Sequence, residues 1–168
     1  MTNCHVARYV TNMGPGAVAA TDLGICQVWL PGDDLSAIDG AASGESELVR
    51  KAVEQLEQYF QGSLQQFDLP VDISGLTPFR QQVLLLTAQI PYGSVTTYAA
   101  LAKKVGSPKA ARAVGGALAA NPVPVIIPCH RVVASNGALT GFSGAGGVLM
   151  KENLLLLERV DFRAFKKV

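Results

Sequence analysis

The chain has 168 residues, of which 49% are apolar and 16% are charged. This composition excludes an intrinsically disordered chain, and the length suffices for one large or two small domains. No apolar run approaches the roughly 20 residues that span a bilayer, and the N-terminus MTNCHVARYV has no apolar signal core. We therefore expect a cytoplasmic protein with no membrane partner.

The small net charge of +1 conceals two halves of opposite sign. Residues 1–75 carry three basic and ten acidic side chains, a net charge of −7, whereas residues 76–168 carry eleven basic and three acidic ones, a net charge of +8. The second half suits an anionic partner, although two surfaces of opposite charge could also dock on each other. The charge changes sign at FDLPVDISGL, which contains Pro and Gly, and we place a domain boundary there, after Gly75.

The first half is predicted to form short strands and then a helix. Apolar runs at 17–20 and 25–30 are separated by the turn residues TDLG, which predicts a β-hairpin. A Gly/Ser/Asp-rich loop over 32–46 follows. From Glu47, apolar residues recur at helical spacing until Gly62 ends the helix.

The second half is predicted to be mainly helical. Thr77 and Pro78 form a start signal for a helix that ends before Pro91. A second helix, TYAALAKKVG, and a third, SPKAARAVGGALAAN, are joined at Gly106, which is the pattern of a helix-turn-helix. A last helix is predicted over 149–159.

The third helix is nearly bare of long side chains. Gly115 and Gly116 are adjacent, alanines occupy most other positions, and Lys109 and Arg112 are the long side chains near its start. Each glycine costs on the order of 1 kcal/mol relative to alanine in a helix, so we expect something to approach its backbone closely. A nucleic-acid backbone bound without sequence preference is one candidate, because a bare helix cannot read base edges. Tight packing of a small-residue helix in the core is the other.

The motif that carries chemistry is PCHR, at the end of the proline-rich apolar stretch NPVPVIIPCHRVV. A thiol becomes nucleophilic only as thiolate, so Cys129 needs a base or a positive charge nearby, and His130 and Arg131 follow directly. Adjacent residues of a strand face opposite ways, so a Cys–His contact requires a turn or a bridging water. A carboxylate should orient the histidine, and three stand in this half: Glu152, Glu158 and Asp161. The alternative is a buried structural cysteine beside a hydrogen-bonded histidine.

The remaining cysteines do not form a recognisable motif. Cys4 and Cys26 give, with Cys129, an odd and sparse set without C-x-x-C. This pattern argues against a disulfide scaffold and a zinc finger, and it suits a reducing compartment.

The second half contains three segments in succession: RAVGGAL, then NPVPVIIPCHR, whose end begins PCHRV, and then a glycine loop, GFSGAGGV. With these segments in this order, the chain closely resembles the O6-alkylguanine-DNA alkyltransferases, or methylated-DNA–protein-cysteine methyltransferases. The resemblance covers residues 77–159, and the first half matches only in outline. The resemblance implies an α+β fold. Residues 1–75 would form a ribonuclease-H-like N-terminal domain with a small antiparallel sheet. Residues 76–168 would form a winged helix-turn-helix-like domain for DNA binding and catalysis.

The resemblance also implies the reaction and its residues. Cys129 would accept the alkyl group from guanine O6 in an irreversible single turnover, after the base is flipped out of duplex DNA. His130 would draw off the thiol proton through a water, and Glu158 would orient His130. Asn121 would brace the helix-turn elements, and Tyr98 would rotate the base phosphate and donate a proton to the departing guanine.

Further residues would contact DNA or line the pocket. Arg112 would fill the gap in the base stack. Val132 and Ser143 would contact the flipped base, within a pocket whose flexible wall is GFSGAGGV. The DNA backbone would be touched by Ala99, Ser107 and Ser135. The loop before Lys151 is about two residues longer than in familiar animal members, which leaves pocket size open.

The implied protein is monomeric, with cooperative binding on DNA left open, and it needs no cofactor. It binds double-stranded DNA containing O6-alkylguanine, with O4-alkylthymine as an open alternative. Some members of the family carry zinc in the first domain. Cys4, His5 and Cys26 could supply ligands here, but a fourth is missing, so we expect no metal.

Three other functions remain open at this point. Alkyltransferase-like proteins bind alkylated DNA without repairing it, and they have tryptophan where Cys129 stands. A helix-turn-helix transcriptional regulator would need a recognition helix that reads sequence. A Cys-His hydrolase would need turnover and an oxyanion hole.

Overall fold

The computed structural model describes residues 4–38, 46–142 and 146–161. The chain folds into two units, Met1–Gly75 and Leu76–Val168. Their architecture is mixed α+β, with a small antiparallel sheet in the first unit and a mainly helical second unit. Among the described residues, no helix combines the length and apolar character needed to cross a membrane.

In the first unit, three antiparallel strands form a sheet in the order β1 (His5–Thr11), β2 (Gly14–Ala20) and β3 (Ile25–Trp29). The predicted hairpin is confirmed as the β2–β3 pair, whose turn is closed by Thr21 N–H donating to the Gly24 carbonyl at 2.9 Å. The sequence analysis did not predict β1. The segment HVARYVT lacks the alternation of apolar and polar residues that identifies a strand, and in the structure only Tyr9 of this strand is buried.

Helix α1 (Glu47–Phe60) packs on β1 and β2 and confirms the predicted helix. Ser46 caps it by accepting a hydrogen bond from Val49 N–H. The Tyr9 and Phe60 rings stack with centroids 6.0 Å apart. Gly16 leaves room for Tyr9, because a Cβ there would lie 2.2 Å from the tyrosine Cζ.

The second unit contains α2 (Pro78–Thr87), α3 (Tyr98–Lys104), α4 (Ala111–Ala119) and α5 (Gly147–Leu157). Helices α2, α3 and α4 pack on one another. Thr77 and Thr97 cap α2 and α3 by accepting hydrogen bonds from backbone N–H groups. A short parallel pair joins β4 (Thr96–Thr97) to β5 (Val132–Val133). This pair links the start of α3 to the backbone that follows the PCHR motif.

The predicted bounds of two helices are wrong. The third helix starts at Ala111, because Ser107–Pro108 opens a turn in which the Ser107 carbonyl accepts a hydrogen bond from Ala110 N–H at 2.9 Å. The last helix spans Gly147–Leu157 instead of 149–159, and it ends before Arg159, whose φ is +59°.

Candidate active site

Cys129 begins a short 3₁₀ helix, Cys129–Arg131, at the end of the apolar lead-in. Pro128 precedes it, and Arg131 N–H donates to the Pro128 carbonyl at 2.9 Å. Val123, Val125 and Ile127 of the lead-in are buried, so this stretch forms part of the core beneath the cysteine. The cysteine is only 8% exposed. The turn required by the sequence analysis is therefore present at the motif.

The environment of the Cys129 thiol has opposing effects on its pKa. Burial raises the pKa above its ordinary value, while a hydrogen bond with the Asn121 side chain and the charge of Lys151 lower it in part. Burial has the largest effect, so the resting Cys129 thiol is protonated at neutral pH. A nucleophilic thiolate therefore requires removal of this proton.

Asn121 lies just after α4 and holds the lead-in. Its Nδ2 donates to the Ile127 carbonyl at 2.9 Å, and its Oδ1 accepts from Val123 N–H at 3.0 Å. Together with its hydrogen bond to the thiol, these contacts connect the end of α4 to Cys129. A shift of this loop would move the sulfur.

His130 and Arg131 both bind the carboxylate of Glu158. His130 Nε2 lies 2.5 Å from Glu158 Oε2, and Arg131 donates from Nε to Oε1 at 2.7 Å and from Nη2 to Oε2 at 3.1 Å. Arg131 Nη1 also donates to the Ile90 carbonyl at 2.6 Å. All three side chains are buried. This bidentate, charge-assisted arrangement fixes Glu158 and, through it, the imidazole.

Burial lowers the pKa of His130, and the hydrogen bond and charge of Glu158 oppose that change. The imidazole is therefore neutral at pH 7. Because a carboxylate only accepts hydrogen bonds, the neutral ring carries its proton on Nε2, which leaves the Nδ1 lone pair as the basic position.

Lys151 is the second cation of the site, and its side chain is nearly fully buried. Its Nζ donates to the Val132 carbonyl at 2.6 Å, to the Thr140 carbonyl at 2.9 Å and to Tyr98 Oη at 3.3 Å. Burial lowers its pKa to about 8, and the neighbouring Cys129 opposes that shift. The ammonium thus stands where it can stabilise a thiolate.

Tyr98 is the first residue of α3, and β4 and β5 bring it to the site. Its hydroxyl donates to the Thr140 carbonyl at 2.9 Å, beside Lys151. Burial raises the pKa of the phenol, and the Thr140 hydrogen bond opposes this shift. At neutral pH the phenol is therefore a proton donor.

The predicted DNA-contacting residues lie largely in the helix-turn-helix. Arg112 is exposed on α4, Ala99 is half-buried on α3, and Ser107 lies in the turn between them. Ser135 is exposed in a different turn, just after β5. Of the two predicted pocket residues, Val132 is buried in β5 and offers its carbonyl to Lys151, whereas Ser143 lies outside the described residues.

Helix α4 divides into a packed face and a bare exposed face. Val114, Ala117 and Leu118 are buried. The exposed positions recur at helical spacing and are Arg112, Ala113, Gly116 and Ala119. A Cβ added at Gly116 would meet nothing within 4 Å, so packing inside the protein does not require this glycine.

Sequence reasoning missed two residues of the site. From the sequence, Arg131 is only a source of charge, whereas in the structure it holds Glu158 in place. The sequence assigns no role to Lys151, whereas in the structure it contacts Tyr98 and Val132. A lone lysine in an apolar helix, GVLMKENLLLL, was the available signal, because an ammonium on such a helix needs buried partners.

Known protein families match both units of the chain. Residues 78–160 match the family model of the 6-O-methylguanine DNA methyltransferase DNA binding domain, and residues 5–73 match the model of its ribonuclease-like domain. The chain is 39% identical to a methylated-DNA–protein-cysteine methyltransferase of Methanosarcina acetivorans, over 92% of this chain and 97% of that protein. It is 44% identical to the constitutive enzyme of that name from Bacillus subtilis, over 71% of each chain.

Solved structures give the same result for both units. The crystal structure of Mycobacterium tuberculosis O6-methylguanine methyltransferase is similar with a TM-score of 0.81 and 34% identity, over 94% of this chain and 93% of that one. A structure of Mycobacterium tuberculosis OGT in complex with DNA is similar with a TM-score of 0.78 and 33% identity, over 96% of this chain and 98% of that one. The chain belongs to the 6-O-methylguanine DNA methyltransferase family.

Proposed function

We propose that this protein repairs DNA by transferring the alkyl group of an O6-alkylguanine in duplex DNA to its own Cys129. The observation that carries this proposal is the buried Cys129 thiol, which Asn121 binds by a hydrogen bond and which feels the charge of Lys151, in the residue before the His130–Glu158 pair. Family membership supports the reaction, and the presence of cysteine at this position argues against the non-catalytic alkyltransferase-like proteins.

In the proposed reaction, the Cys129 proton passes through a bridging water to His130 Nδ1. The resulting imidazolium is stabilised by Glu158, which already binds Nε2. The ammonium of Lys151 stabilises the thiolate in a site from which most water is excluded. These two charges offset the burial that otherwise keeps the thiol protonated.

The thiolate then displaces guanine from the alkyl carbon. A carbon–sulfur bond forms, the bond from that carbon to O6 breaks, and its electron pair remains with the guanine. The Tyr98 hydroxyl donates a proton to the departing base, for which it must leave the Thr140 carbonyl. The thioether product is stable, so each molecule reacts once.

The bare face of α4 supports the proposed way of binding DNA. Small residues there let a backbone approach, and Arg112 stands at the start of that face, where it can fill the space left by a flipped base. Ala99, Ser107 and Ser135 are proposed to contact the DNA backbone, and Val132 and Ser143 the flipped base. Because such a surface cannot read sequence, we expect affinity to depend on salt and little on sequence, unlike that of a transcriptional regulator.

Replacing Cys129 with Ser tests the proposal. We expect the variant to bind duplex DNA containing O6-methylguanine but to transfer no methyl group, whereas the wild type transfers one per molecule. Cys26→Ser, in the other unit, is the matched control and should transfer normally. Methyl transfer by Cys129→Ser would refute the proposal, and repeated turnover of an ester by the wild type would favour a hydrolase.

A further inference from the structure

Cys4 and Cys26 lie together in the first unit. Their Sγ atoms are 3.9 Å apart, although the residues are 22 positions apart in the sequence. Cys4 is exposed just before β1, and Cys26 is half-buried in β3, so the pair joins the segment that leads into one edge strand to the other edge strand. The sequence pattern alone gave no reason to pair them.

These thiols do not complete a structural zinc site of the kind that some family members carry. Such sites have four ligands in almost every case. Within the part of the chain that the structure describes, no further histidine, cysteine, aspartate or glutamate, His5 included, forms with the pair a group of three that could hold a metal ion. The donor set therefore does not fit the metal.

We propose that Cys4 and Cys26 form a reversible intramolecular disulfide when the protein meets an oxidised thiol such as glutathione disulfide. The sulfurs need to approach by about 2 Å to reach bonding distance. Cys4 precedes its strand and is exposed, so its side chain can turn toward Cys26 without displacing core residues.

The exchange proceeds in two steps. The Cys4 thiolate attacks one sulfur of glutathione disulfide, which forms a mixed disulfide and releases one glutathione thiolate. The Cys26 thiolate then attacks the Cys4 sulfur, which forms the Cys4–Cys26 bond and releases the second glutathione. Two protein thiols are oxidised, one glutathione disulfide is reduced, and the two protons end on the two glutathione molecules.

The order of these steps follows from exposure. Cys4 meets the oxidant first because it is exposed, while burial, the neighbouring Cys4 and the charge of Asp72 raise the pKa of Cys26 to about 11 in the reduced pair. Burial, the largest of these causes, persists after Cys4 has reacted. Ring closure should therefore be the slower step at neutral pH and should accelerate as the pH rises. Cys129 belongs to the other unit and is buried, so the reaction should leave it reduced.

The test is incubation of the full-length protein in glutathione buffers of increasing oxidised fraction, followed by thiol alkylation and peptide mass mapping. We expect a peptide crosslink between Cys4 and Cys26 without bound glutathione, and Cys129 alkylated as a free thiol. Cys26→Ser should instead retain glutathione on Cys4, whereas Cys129→Ser should form the same crosslink as the wild type.

Three results would overturn the proposal: a lasting glutathione adduct on Cys4 of the wild type, a Cys4–Cys4 link between two molecules, or protection of both thiols by stoichiometric zinc. A melting experiment adds a second readout. Because the bond would close a loop between residues 22 positions apart, the oxidised wild type should melt several degrees higher than its reduced form, whereas oxidation should not raise the melting temperature of Cys26→Ser.

Discussion

His130 Nε2 lies 2.5 Å from Glu158 Oε2, and both side chains are fully buried. Arg131 binds the same carboxylate with two nitrogens. One carboxylate therefore orients the proposed base and neutralises a buried guanidinium at the same time. Glu158 stands at the end of α5, so the position of this helix determines the position of the imidazole.

Replacing Glu158 with Gln should destabilise the second unit by about 3 kcal/mol, because Arg131 keeps its buried charge and loses its carboxylate. Alkyl transfer should also slow, since the amide stabilises an imidazolium less well than a carboxylate does. Urea unfolding measures the first effect. Glu152→Gln, half-buried on the same helix, is the control and should change stability little. Equal stabilities of the two variants would contradict the account.

Replacing Lys151 with Met should slow transfer by about tenfold near pH 7, because the thiolate loses a neighbouring positive charge. The pKa of Lys151 is lowered to about 8, so the ammonium is present below that pH and is lost above it. The rate advantage of the wild type should therefore be largest below pH 8 and shrink as the pH rises further. Single-turnover rates between pH 6 and pH 9 measure this.

The exposed Lys103→Met variant serves as a charge control for Lys151 and should retain the wild-type rate. A rate ratio between the wild type and Lys151→Met that does not change with pH would mean that Lys151 acts only through its hydrogen bonds to Val132 and Thr140.

Replacing Arg112 with Ala should slow repair of duplex DNA by about tenfold or more, since nothing would then fill the space left by the flipped base. Reaction with free O6-methylguanine should be nearly unchanged, because no base stack has to be opened. Parallel single-turnover assays on the two substrates make the comparison. Equal losses on both would remove the proposed role of Arg112 in base flipping.

Replacing Gly116 with Ala should have opposite effects on stability and binding. Outside the adjacent helix backbone, a Cβ there meets no atom within 4 Å, so the free variant should be more stable by about 0.5–1 kcal/mol through helix propensity. If DNA lies against this face, the added methyl group should weaken binding. Thermal unfolding and a DNA-binding titration of the same sample measure both quantities, and unchanged affinity would mean that DNA does not approach Gly116.

The sequence predicted most helices and the β2–β3 hairpin because their signals are local. Thr77 and the TDLG turn each act within a few residues of the backbone that they shape. Strand β1 was missed because HVARYVT lacks a period-two pattern, although its partner β2 follows it directly. The β4–β5 pair was missed because it joins Thr96 to Val132, which are distant in the sequence. Two-residue strands such as Thr96–Thr97 leave no periodic pattern to read.

The family resemblance pointed to Cys129, His130 and Glu158 as a group, and the structure brings the last two into direct contact. From the residues alone, Glu158 could not be chosen over Glu152 or Asp161, since the choice depends on how α5 packs against the motif. The contacts of Lys151 also could not be predicted from the residues alone. Its ammonium binds the carbonyls of Val132 and Thr140, which come together only in the folded unit.

The most direct test of the central claim is the intact mass of the protein after mixing with duplex DNA that carries one O6-methylguanine, followed by peptide mapping. The account predicts that the protein gains the mass of one CH₂ group and that this mass lies on the peptide containing Cys129. Binding of the DNA with no gain of mass, or a gain on a peptide containing Cys4 or Cys26, would contradict it.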